Sequence, residues 1–129
     1  MAEVKRELYK IEISVHASPA LLYNYISTPE GLSEWFAEQV NPLKNQRFEF
    51  TWEGTKQIAN VLKLVSNKLV KFQWVDGSAE EYFEIEIIKD EMTNDVALVI
   101  TDFSDPSERE ENIMVWESQV HILRENIGA

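Results

Sequence analysis

Residues Ser27–Val40 read STPEGLSEWFAEQV. Thr28 offers a capping oxygen and Pro29 a preset first-turn dihedral, so a short helix is predicted to start here. Leu32, Trp35 and Phe36 stand at i, i+3 and i+4, which places all three on one face. A helix of about two turns cannot bury two adjacent large rings by itself. Some other part of the chain must receive them, either as an ordinary core or as the wall of a ligand cavity.

Upstream, the pattern has period two: Tyr9, Ile11, Ile13 and Val15 share one face and Lys10, Glu12 and Ser14 the other, as in a half-buried strand. Ser18 and Pro19 then form a cap-and-proline start, and Leu21, Leu22, Tyr25 and Ile26 recur at helical spacing up to Ser27. Downstream of Asn41 and Pro42, alternating runs separated by turn residues predict an antiparallel meander. RFEFTW puts Phe48, Phe50 and Trp52 on one face, and QIANVLKLV puts Ile58, Asn60, Leu62 and Leu64 in register. LVKFQWV aligns Val70, Phe72 and Trp74, and EYFEIEII aligns Phe83, Ile85 and Ile87. DVALVITDF is apolar on both faces. DPSERE then announces a last helix, capped by Asp105 or Ser107 and completed as a capping box by Glu108 or Glu110. It is expected to run to about Asn126, before Gly128, with Ile113, Trp116, Val120, Leu123 and Ile127 in one stripe. Val115 and Ile122 widen that stripe to near half the circumference, and Gln119 is the polar side chain within it.

The 129 residues fit one domain, 1–129, with one core. Hydrophobic content of 44% and aromatic content of 11% argue against disorder. With no cysteine, a disulfide scaffold, a thiolate metal site and a cysteine nucleophile are excluded. Neither a signal-type h-region nor a membrane-length apolar run occurs, which predicts a soluble cytoplasmic protein without membrane insertion. The net charge of −11 is uneven: residues 1–75 carry nine Lys/Arg against eight Asp/Glu, residues 76–129 three against fifteen. An acidic protein of this kind repels phosphate backbones, so no nucleic-acid role is expected. The acidic part serves solubility or a basic protein partner.

One strand, two short helices, five strands and a long helix make an α+β helix-grip fold of order βααβββββα: a curved antiparallel sheet of about six strands wrapped around the C-terminal helix. In that order, and in ThrProGluGlyLeuSerGluTrpPhe at Thr28 to Phe36 together with Trp116, Val120 and Leu123, the chain resembles the START-like superfamily of birch-pollen allergen, polyketide cyclases and lipid-transfer domains. More narrowly, it is similar to the branch of activators of the heat-shock protein 90 ATPase. The resemblance implies an apolar cavity between sheet and long helix for a small hydrophobic or lipid-like ligand. It also implies two alternatives, a protein-interaction or cochaperone-like module with a filled core, and cyclase-like chemistry. Those activators use a second, N-terminal domain for which this chain has no space, which counts against direct chaperone stimulation.

Candidate cavity residues are Phe48, Phe50, Trp52, Phe72, Trp74, Phe83 and Trp116, with Trp35 and Phe36 at one end and Val120 on the helix. Asn60, Asp102 and Gln119 are the candidate orienting polar groups. Enough rings are present to fill the space instead. Catalysis needs a positioned base or nucleophile. His16 is expected in a solvated loop and His121 on the polar flank of the last helix, and no HxxxH or HExxH pair is present, so neither a catalytic residue, a metal nor a cofactor is assigned. Asp102 shares parity with Val96, Leu98 and Ile100, which would make it a buried acid. The adjoining DFSDPS turn favours the other reading, a strand-end turn residue.

Overall fold

A computed structural model describes residues 6–128; the first residues of the alternating N-terminal run lie outside the described part. Seven strands form one antiparallel sheet: β1 Glu7–Ser14, β2 Gln39–Leu43, β3 Arg47–Trp52, β4 Thr55–Val65, β5 Leu69–Trp74, β6 Phe83–Lys89 and β7 Val96–Ser104. Their order is β1-β7-β6-β5-β4-β3-β2, so β1 joins the far end of the meander by pairing with β7. Three helices accompany the sheet: α1 Pro19–Ser27, α2 Pro29–Leu32 and α3 Arg109–Ile127. This is the expected α+β helix-grip fold, with one strand more than the alternation predicts.

The additional strand is β2, reading QVNPL, where Asn41 and Pro42 look like a chain breaker. Proline cannot donate to a ladder, yet β2 is an edge strand and pairs only with β3, with Pro42 opposite Phe48. Asn45 and Gln46, at φ 64° and 57°, take the left-handed conformations that close this hairpin.

Two other expectations change. The helix predicted to carry Trp35 and Phe36 stops at Leu32, and both aromatics stand on the turns that follow, with the Phe36 N–H donating to the Leu32 carbonyl at 2.9 Å. On β4 the inner face carries Ala59, opposite Phe48 and Trp74, so Ile58, Asn60 and Leu62 belong to the outer parity. Apolar residues occupy both parities there, so alternation had two solutions. The small Ala59 side chain, fully buried, fits between two flanking rings, and a register shift between Val61 and Lys63 follows.

Inner-face residues Val70, Phe72, Ile85, Leu98 and Ile100 are inaccessible to solvent and share one core with Leu22 and Ile26 of α1 and Val120 and Leu123 of α3. Ser18 caps α1 by accepting from the Leu21 N–H, and Thr28 caps α2 by accepting from the Gly31 N–H at 2.9 Å. Asp105 caps a single 3-10 turn, Pro106–Glu108, and α3 then starts without a side-chain cap, so no capping box forms. Gly128 ends α3 at φ 71°, a left-handed C-terminal position suited to glycine. The buried stripe of α3 is narrower than predicted, because Val115 and Ile122 are 55% and 47% exposed.

Candidate functional site

Phe36 is the point where the layers meet. Its ring stacks on Trp116 of α3 and on Phe83 of β6 at centroid distances of 5.4 and 5.5 Å, and meets Phe50 and Trp52 of β3 edge-on at 5.3 and 5.4 Å. Its carbonyl accepts from Trp52 Nε1 at 2.8 Å and from Gln119 Nε2 at 2.9 Å, tying the turn to β3 and α3 together. Trp35 turns the other way and donates from Nε1 to the Tyr25 carbonyl at 2.8 Å, closing the space beside α1. The two rings are therefore received separately, one as a hub between sheet and helix and the other as a plug against α1.

Beside the hub, the grip is not closed. A cavity of about 450 Å³ remains between the sheet and the N-terminal half of α3. Phe36, Trp52, Trp74, Phe83 and Trp116 form its walls, Gln57, Asp102, Asn112 and Gln119 supply its polar groups, and Val115 stands at its rim. The size falls within the range of small-molecule sites, and the six apolar lining residues outnumber the four polar ones.

Asp102 lies within β7, two residues before the strand ends, and faces the cavity. The turn reading of this residue is thus overturned; the turn is built by Asp105, which accepts from the Ser107 N–H at 2.9 Å. Asp102 Oδ2 accepts from Trp116 Nε1 at 3.0 Å and from the Tyr9 hydroxyl at 3.4 Å, and Oδ1 accepts from the Phe103 N–H at 2.8 Å. Burial pushes its pKa up from the ordinary carboxylate value, and these hydrogen bonds offset part of that rise. The Tyr9 phenol is also pushed up, first by burial and then by the Asp102 charge.

The predicted site residues separate into groups. Phe36, Trp52, Trp74, Phe83, Trp116 and Gln119 are brought together on the cavity. Phe50, Phe72 and Val120 lie beneath it, fully buried, so the rings do fill the centre of the grip. Phe48 lies near the β4 bulge, on a separate depression with Val61 and Leu62. Trp35 borders a shallow groove on the outer side of the Phe36 turn. Asn60 is not a cavity residue: it sits on the outer face and accepts from Arg47 Nε at 3.0 Å. Sequence reading missed Gln57, Asn112 and Val115. Gln57 is on the strand whose parity was reversed, and Asn112 is one turn before Trp116, a spacing that could have flagged it. His16 and His121 are both exposed, and His121 pairs with Glu125 at 2.6 Å along the helix.

Known proteins agree with this architecture. The solution structure of BfR322 from Bacteroides fragilis is 33% identical, with a TM-score of 0.67, over 95% of this chain and 92% of that one. The Aha1 dimer from Colwellia psychrerythraea has a TM-score of 0.74 at 20% identity, over 92% and 93% of the two chains. DynU16, from the dynemicin biosynthetic locus, has a TM-score of 0.76 at 14% identity, and this chain spans 47% of its length. No curated protein matches the sequence. The profile of the START-like superfamily domain matches residues 1–129, and with the seven-stranded sheet closed by α3 this establishes that the chain belongs to the START-like superfamily.

Proposed function

We propose that this protein binds a small hydrophobic or lipid-like molecule in the cavity between sheet and α3, without catalysis. The observation that carries the proposal is an open space of about 450 Å³ with five aromatic walls and four polar side chains, Asp102 among them. Such walls stay rigid because the rings brace one another, as Trp52 does against Trp74 at 5.9 Å. Covalent catalysis needs a nucleophile activated by a base, and among the described residues the lining holds one ionisable group, Asp102, whose oxygens already accept from neutral donors.

Native mass spectrometry of freshly purified protein, with titration of an environment-sensitive hydrophobic dye, tests the proposal. One bound molecule per chain, or a dye site saturating at one per chain, is the expected result. A protein that is ligand-free and silent to the dye would overturn it.

The fully buried Phe50 and Phe72 and the exposed Met114, Val115 and Ile122 on α3 favour a second reading, an interaction module with a filled core. That module would show no dye site and would instead lose partner binding when Val115 and Ile122 are replaced by polar residues.

A further inference from the structure

Among the described residues Asp102 is the one ionisable side chain on the cavity lining, and it is an acid. Its hydrogen bonds come from an indole, a phenol and a backbone amide, all neutral. No ion pair to it forms among the described residues. Arg6, a cation that acts on it, directs its guanidinium to Glu81 at 2.8 Å and to the Phe103 carbonyl at 3.0 Å. The carboxylate is thus partly desolvated and forms no ion pair among the described residues, a condition that costs free energy unless a cation arrives.

The remaining walls favour the same charge. Aromatic faces carry negative electrostatic potential and attract ammonium groups, most strongly the face of tryptophan. Trp52, Trp74 and Trp116 border the space with Phe36 and Phe83, and among the described residues no lysine, arginine or histidine lines it. Residues 76–129, which supply β6, β7 and α3 around the opening, carry three Lys/Arg against fifteen Asp/Glu. Such a field concentrates cations near the mouth and repels anions.

On the premise that the cavity binds a ligand, we infer that the ligand is an organic cation, an amine or quaternary ammonium group on an apolar, ring-sized body. Its nitrogen meets the Asp102 carboxylate and its body packs among Trp52, Trp74 and Trp116. A fatty-acid carboxylate placed there would face Asp102 in a desolvated site, so anionic lipids are rejected.

Three probes with one skeleton test this at pH 7: 2-(aminomethyl)naphthalene as the cation, 2-naphthalenemethanol as the neutral form and 2-naphthoate as the anion. Binding is followed by NMR on the indole N–H signals of the 15N-labelled protein. The amine is expected to bind about tenfold or more tighter than the alcohol, with naphthoate weakest, and to shift the Trp116 signal most. In Asp102→Asn the advantage of the amine over the alcohol should fall to about twofold or less; if that variant does not fold, the ranking on the native protein decides alone. Equal or tighter binding of the alcohol or naphthoate overturns the cation assignment while leaving the cavity as a ligand site. Absence of any indole shift with all three probes overturns the ligand reading itself.

Discussion

At Asp102, strand parity and turn chemistry point in opposite directions, and parity prevails. The turn was already served by Asp105, so β7 continues to Ser104 and carries an acid into the core region. The consequence for stability has a definite sign. Burial raises the folded pKa of Asp102 above 3.8, so between those values the folded chain holds this proton more tightly than the unfolded chain does. Stability from this group therefore falls as pH rises through that window, and above it the full cost of the buried charge persists. Asp102→Asn removes the charge but turns an amide donor toward either the Trp116 Nε1–H or the Phe103 N–H, so only the pH dependence of the difference has a fixed sign. The melting temperature of the variant relative to the native protein should rise as pH is raised through the Asp102 pKa. A difference that does not change with pH in thermal melts would reverse this account. Tyr9 from β1, Trp116 from α3 and Arg6, itself held by Glu81, are the groups that face Asp102, and none of them is altered.

Among the elements, the α1–α2 corner has the tightest geometric requirement. A Cβ at Gly31 would stand 2.1 Å from the Asn24 carbonyl oxygen and 2.6 Å from the Tyr25 Cα, both backbone atoms that cannot move without shifting α1. Glycine here allows two helices joined through Thr28 to approach closely, and it thereby fixes where the turn carrying Trp35 and Phe36 begins. Gly31→Ala should destabilise the fold by about 2–3 kcal/mol in urea denaturation. An unchanged midpoint would show that the corner relaxes freely. The Glu-Gly-Leu sequence was legible as part of a family-like motif, but the contact that demands its glycine was not, because the clash is with backbone brought close by the corner itself. β2 and β4 show the same limit in strands. Pro42 reads as a breaker unless the strand is known to be an edge, and Asn60 reads as inward unless the neighbours of Ala59 are known.

At the scale of the molecule, Phe36 joins the helix layer to the sheet through both its ring and its carbonyl. Phe36→Ala removes a buried ring between two layers and should cost about 3–5 kcal/mol in chemical denaturation, and it should enlarge the cavity enough to change which dye or probe it accepts. A loss below about 1 kcal/mol would mean that the layers are held elsewhere. The sequence by itself determined the order of elements apart from β2, the caps at Ser18, Thr28 and Gly128, and the inward parity of β1, β3, β5 and β6, because these follow from local dihedral preferences and clear alternation. It also marked most of the aromatic residues around the cavity. Only the tertiary structure decided which rings fill the centre and which leave space, that Asp102 faces that space with no ion pair among the described residues, and that Asn60 does not face it. Those outcomes depend on cross-strand register and on how far α3 stands from the sheet, distances set by residues remote in the chain.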